Sequence, residues 1–153
     1  MKTPLRVYAD TSVFGGCFDR EFDTASLRFF EQVRAGTFVL VISDVTLDEL
    51  RLAPEPVRST LAEIDNSRIE LVATTSESDN LAREYLDAKV VGSSCIDDAR
   101  HIAVATIMEV DIVVSWNFKH IVHYEKIMGY EGINTSHGYR SPRIYSPYEV
   151  ISL

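Results

Sequence analysis

Arg6-Val7-Tyr8-Ala9-Asp10-Thr11-Ser12 reads as a short apolar strand that ends on an aspartate and two hydroxyls. In an open parallel α/β sheet, ligands sit in the crevice outside the carboxyl ends of the strands. A carboxylate delivered there meets whatever binds. The same residues also have a plainer use, since Asp, Thr and Ser all cap helices by accepting bonds from free N–H groups. At Asp10 alone both readings stand, and the neighbouring stretches decide what kind of sheet the strand joins.

Phe38-Val39-Leu40-Val41-Ile42 is a continuous, largely β-branched apolar run ending at Ser43-Asp44, the pattern of a strand buried on both faces of a parallel sheet. Ile112-Val113-Val114-Ser115-Trp116 repeats it, with Asn117-Phe118-Lys119-His120 at its carboxyl end, and residues 69–72 and 143–145 give shorter strands. Between the strands, residues 24–35 place Leu27, Phe30 and Val33 at helical spacing, with Asp23 as cap and Gly36 as stop. Residues 45–53 read as a helix ended by Pro54 and Pro56, and 57–64 as a second short one. Residues 76–90 form a helix capped by Ser76 or Ser78, and 96–109 form another that is apolar nearly all round from Ile102 to Met108. Residues 13–18, broken by Gly15 and Gly16, read as a loop, and the chain beyond His120 as turns around the last strand. Strands alternating with helices predict an α/β fold, a central parallel sheet with helices on both faces, as a single domain over 1–153.

The composition, 46% hydrophobic and 25% charged over 153 residues, is that of a globular domain large enough to bury a core without staples. Cys17 and Cys95 belong to no paired motif, so neither a zinc framework nor a disulfide framework is indicated, and a reducing cytoplasm fits. The apolar runs are too short to span a bilayer and the N-terminus has no signal-peptide pattern, so no membrane attachment is expected. The net charge of −8 argues against holding nucleic acid by electrostatics alone. It does not exclude a nuclease, because a metal ion supplies positive charge where carboxylates repel phosphate, and it suits a basic protein partner.

Two further carboxylates stand out. At about 100° per residue, Glu49 shares an arc with Val45, Leu52 and Ala53 and points inward, whereas Asp48 lies nearer Asp44 and Arg51. A buried carboxylate is costly without a partner, so Glu49 is paired, protonated or metal-bound, an ion pair with Arg51 or Arg58 being the plain alternative. Asp97 and Asp98 open a helix, where the dipole favours acids. Ser94-Cys95-Ile96-Asp97 has the form of a capping box, which accounts for Asp97 and leaves Asp98, on the face of Ile102 and Ala105, for chemistry. Asp10, Glu49 and Asp98 thus arrive from separate elements, and hard oxygen ligands suit Mg²⁺ or Mn²⁺.

Other chemistries find less support. His101, His120, His123 and His137 make no zinc pattern and read as surface or supporting residues. Ser12, Ser43 and Ser115 lack an assembled base and acid, and no phosphate-cradling glycine loop is present. Asp10 as a phosphohydrolase nucleophile is weakened because Ser12 stands where a second aspartate is expected.

Tyr8-Ala9-Asp10-Thr11-Ser12, Thr46-Leu47-Asp48-Glu49-Leu50, the run from Asp98 to Ala105, and Ser115-Trp116-Asn117-Phe118-Lys119-His120, in that order, resemble the motifs of PIN-domain nucleases, most closely the VapC-like toxins of bacterial toxin–antitoxin pairs. The resemblance covers the chain up to His120. It implies a PIN-like fold and a metal-dependent endoribonuclease in which Asp10, Glu49 and Asp98 hold Mg²⁺ or Mn²⁺ and Thr11 or Ser12 steadies the site. It further implies a homodimer, an RNA substrate and a small inhibitory antitoxin; a PIN-like module that binds RNA or protein without cutting is the alternative. The fourth motif departs from the pattern, since many relatives carry an aspartate at the position of Asn117 or of His120. Asn117 then either offers its carbonyl oxygen to a metal or its water, or only braces the loop before Lys119.

Overall fold

The computed structural model describes residues 3–153. In chain order it has β1 (Leu5–Ala9), α1 (Thr11–Gly16), α2 (Asp23–Arg34), β2 (Phe38–Ser43), α3 (Asp44–Arg51), α4 (Glu55–Ala62), β3 (Ile69–Val72), α5 (Ser76–Asp87), α6 (Ile96–Ile107), β4 (Ile112–Val114), α7 (Tyr124–Ser136), β5 (Arg143–Tyr145) and α8 (Pro147–Val150). The five strands form one sheet in the order β3-β2-β1-β4-β5. All four pairings are parallel, with Tyr8 opposite Val41 on one side and Val113 on the other. The central parallel sheet expected from the alternation of strands and helices is therefore present.

Successive strand residues point to opposite faces, and two cores result. Val7, Ala9, Leu40, Ile42 and Val114 pack with α1, α2, α4 and α8 through Phe14, Phe29, Phe30, Val57 and Val150. Tyr8, Val41 and Val113 face α5, α6 and α7 through Tyr85, Ile102 and Tyr130. The sheet order places β2 and β3 to one side of β1 and β4 and β5 to the other, so the chain changes direction across the sheet between β1 and β4. That switch point is where such sheets open a crevice at their carboxyl edge.

Several local expectations need correction. Residues 13–18 are not a loop, because most of them form α1, whose Val13 and Phe14 are fully buried. Gly16 is there for close approach, as a Cβ at this position would meet Ser26 Oγ and Trp116 Nε1, each at 2.5 Å. The segment after His120 is not only turns: it contains α7, and α8 begins with a capping box between Ser146 and Glu149. The apolar residues of α7 are spread around the helix rather than along one side, so no stripe marks it in the sequence. In α2 the buried face runs through Ala25, Phe29, Phe30 and Val33, while Leu27 is exposed; Gly36 ends the helix region with φ +81. The cap of α5 is Thr75, with Ser78 returning the bond to the Thr75 N–H at 2.7 Å. Ser94 and Asp97 form no capping box: Cys95 is the N-cap of α6 and no side chain bonds there. Among the described residues no helix is long and apolar enough to cross a membrane.

Gly16→Ala is expected to lower stability by about 1–3 kcal/mol, the usual cost of forcing extra volume into a packed site. Denaturant unfolding checks this, and an unchanged midpoint would show that the indole and Ser26 yield without strain.

Candidate active site

Asp10 stands directly after β1 at the N-cap position of α1, yet its side chain caps nothing. Its carboxylate turns instead toward the end of β4. Oδ2 accepts the Ser115 hydroxyl at 2.6 Å and Oδ1 the Ser12 hydroxyl at 2.5 Å. Both hydroxyls are themselves held, since Ser12 Oγ accepts the Trp116 N–H at 2.9 Å and Ser115 Oγ the Asn117 N–H at 2.9 Å. Asp10 is only 5% exposed. Burial raises its pKa and Glu49 adds to that, against the lowering effect of His101, Ser115 and Ser12.

Glu49 comes from α3, whose N-cap Ser43 accepts the Val45 N–H at 3.2 Å. It does turn inward, but not as part of the proposed arc, because Leu52 is 89% exposed. Its partner is not an arginine: Arg51 bonds Asp48 at 2.9 Å and Arg58 bonds the Ala53 carbonyl. Glu49 Oε1 receives the Thr11 hydroxyl at 3.0 Å and lies 2.5 Å from His101 Nε2. These bonds outweigh burial and hold the Glu49 pKa below its ordinary value.

His101, read from the sequence only as a surface or supporting residue, is the partner of Glu49. It is 1% exposed on α6, three positions beyond Asp98, and its Nδ1 lies 2.6 Å from the Tyr8 hydroxyl. Tyr8 in turn meets Ser43 Oγ at 2.7 Å, so the cap of α3 and the partner of Glu49 share one network. Burial pulls the His101 pKa down, but the Tyr8 oxygen, Glu49 and Asp10 prevail and push it up to about 10. With an oxygen at hydrogen-bond distance from each ring nitrogen, the imidazolium can donate on both sides. The spacing from Asp98 was the available signal; nothing local marks Glu49 as its partner.

Asp98, half-buried in the first turn of α6, has its pKa raised by burial, with Asp10 and Glu49 pushing the same way against His101 and His120. Asn117 donates from Nδ2 to Asp98 Oδ1 at 3.3 Å. Its own carbonyl oxygen accepts the Lys119 and His120 N–H groups at 3.1 and 2.8 Å. Those two bonds fix the amide orientation: of the two readings of Asn117, the loop-bracing one has these contacts behind it, and the amide also donates to Asp98. Neighbouring Asp97 is exposed and reaches only Arg100, at 3.7 Å.

Asp10, Thr11, Ser12, Glu49, Asp98 and Asn117 are thus joined by direct bonds or mutual charge around the β1/β4 switch point. The donor set is rich in carboxylate oxygen, the chemistry that Mg²⁺ or Mn²⁺ takes. Asp10 keeps further lone pairs on both oxygens, and both Glu49 bonds fall on Oε1. Two of the three acids are pushed toward protonation by burial, with Glu49 adding to the push on Asp10 and both Asp10 and Glu49 to that on Asp98, a strain that a cation relieves. The donor chemistry suits such an ion, although among the described residues these three carboxylates are not a group whose ligand atoms all lie within 4.8 Å of one another.

No family model matches the sequence, and no curated protein matches it. Solved structures do match. VapC20 from Mycobacterium tuberculosis, described as a Sarcin-Ricin loop cleaving toxin, superposes with a TM-score of 0.59 at 15% identity over 74% of this chain and 91% of its own. FitAcB from Neisseria gonorrhoeae gives 0.58 at 12% identity, and VapBC2 from Rickettsia felis, bound to a DNA fragment of its promoter, gives 0.56 at 14%; each match covers 93% of this chain and 98% of the other. At these identities the likeness establishes the fold, and the fold is the PIN-like one of the VapC toxins.

The His101 shift sets a pH dependence for the metal-free protein. Because the folded pKa is about 10 against an ordinary 6.5, its stabilisation is complete below 6.5 and is lost as pH rises toward 10. Glu49 acts oppositely, its contribution being lost as pH falls below its ordinary 4.5. Melting temperature in the presence of chelator should therefore fall from pH 6.5 to 10, and His101→Gln should flatten that fall. A wild-type profile flat over this window would remove the buried imidazolium.

Proposed function

We propose that this chain is a metal-dependent endoribonuclease, the toxin of a toxin–antitoxin pair. The observation that supports the reading is the electrostatic influence of Asp10, Glu49 and Asp98 on one another's surroundings, with each carboxylate held by a hydrogen bond to a neighbouring residue. Asp10, Glu49 and Asp98 would hold Mg²⁺ or Mn²⁺, which when bound supplies phosphate polarisation and an activated water. The chain's own part is positional. Ser12 and Ser115 fix the rotamer of Asp10, Thr11 and His101 hold Glu49, and the charge on His101 offsets part of the repulsion an RNA phosphate meets in an acidic crevice.

The net charge of −8 supports a small basic antitoxin as partner, in keeping with the motif resemblance. A homodimer and a cytoplasmic location complete the proposal, the latter in line with two free cysteines. One observation favours a second reading, a PIN-like module that binds without cutting: the Asp10 oxygens and Glu49 Oε1 already have protein partners.

Incubation of the purified protein with total RNA and Mn²⁺, followed by mapping of the cut ends, separates the two. Cleavage should appear in wild type and vanish in Asp10→Asn and Asp98→Asn. Asp97→Asn should keep it, with stability within about 0.5 kcal/mol of wild type as for an exposed site. RNA left intact by wild type at every Mn²⁺ concentration would favour the binding module.

A further inference from the structure

Asp98 has a second set of neighbours. Cys95 Sγ, a carboxylate oxygen of Asp98 and a ring nitrogen of His120 all lie within 4.8 Å of one another. The first two come from one turn of helix, Cys95 being the N-cap of α6 and Asp98 standing three residues on, so their side chains share a face. His120 comes from the loop after β4 and is tied at both ends of its backbone. Its N–H donates to Asn117 Oδ1 at 2.8 Å, and its carbonyl accepts the Tyr130 hydroxyl at 2.9 Å. Because Asn117 also donates to Asp98 Oδ1, one amide sets both the histidine loop and the aspartate.

Thiolate, imidazole and carboxylate together are not a magnesium set. Mg²⁺ takes oxygen in octahedral geometry, whereas sulfur and nitrogen ligands select Zn²⁺. With bonds of about 2.3 Å to sulfur and about 2.0–2.1 Å to nitrogen or oxygen, ligands on a tetrahedral Zn²⁺ stand roughly 3.3–3.6 Å apart. Side-chain rotation of about an ångström closes the three onto one ion from within 4.8 Å. Three protein ligands leave the fourth position open to water, as in exchangeable or catalytic zinc centres.

We propose that Cys95, Asp98 and His120 form a Zn²⁺ site that shares Asp98 with the carboxylate cluster. Loading it converts the Cys95 thiol to thiolate and releases that proton to solvent. It also draws Asp98 away from Asp10 and Glu49, so Zn²⁺ opposes the Mn²⁺-dependent reaction. That consequence rests on the nuclease reading; the binding does not.

Titration of the full chain with Co²⁺ tests the site without RNA. Wild type should develop a thiolate-to-cobalt charge-transfer band and retain Zn²⁺ through desalting. The band should be lost in Cys95→Ser and His120→Asn, with melting curves showing that both remain folded, and kept in Cys17→Ser and Glu49→Gln. No band in wild type, or a band that survives Cys95→Ser, overturns the site. A band in a protein that cuts no RNA leaves the zinc site standing and removes the nuclease; Mn²⁺-dependent cleavage without a band does the reverse. Where both hold, Zn²⁺ must suppress cleavage by wild type, and cleavage indifferent to Zn²⁺ would remove the sharing of Asp98.

Discussion

Burying a carboxylate at the end of a central strand is the constraint from which the site follows. Asp10 has two oxygens and almost no water, and an unpaired buried charge is costly. The chain meets that demand with two hydroxyls, one from the turn of α1 and one from the end of β4. Each hydroxyl also accepts a backbone N–H from the loop after β4, so satisfying Asp10 and closing the two loops on each other are one event. The tie continues outward: Trp116 stacks on Phe22 at 4.0 Å, its indole N–H bonds Ser26 at 2.8 Å, and Ser26 bonds the Val13 carbonyl. A glycine at position 16 is what lets these parts approach.

Charge is distributed unequally around this frame. One buried imidazole serves three acids, and its bond goes to Glu49 alone, so Glu49 is held below the ordinary carboxylate range while Asp10 and Asp98 are pushed above it. The protein thereby neutralises part of the cluster itself. What is left over stays on Asp10 and Asp98. The internal counter-ion is itself fixed through Tyr8 and Ser43.

The strands were legible because a parallel sheet buried on both faces writes itself as apolar runs, and every strand read from the sequence at 38–42, 69–72, 112–116 and 143–145 overlaps one in the structure. The glycines of α1 and α7 hid their helices, since Gly16 serves packing that no local pattern records. Glu49 was legible as an inward acid from helical projection, but its partner lies 52 positions away, a separation that neither periodicity nor spacing spans. The capping box at Ser94 failed for a different reason. A 3₁₀ turn over Ser93–Cys95 moves the helix start by one residue, and the side-chain geometry a cap needs is lost with it.

The departure at the fourth motif is coherent once the contacts are traced. A carboxylate at position 117 would face Asp98 as a like charge, whereas the amide donates a hydrogen to it. The same amide uses its oxygen to gather the Lys119 and His120 N–H groups, which a carboxylate could also do, but only while adding charge to a cluster already strained toward protonation. An amide at 117 and an imidazole at 120 therefore belong together. The first lowers the repulsion on Asp98 and the second brings a ring nitrogen beside it, so at this edge nitrogen and sulfur stand next to the carboxylate.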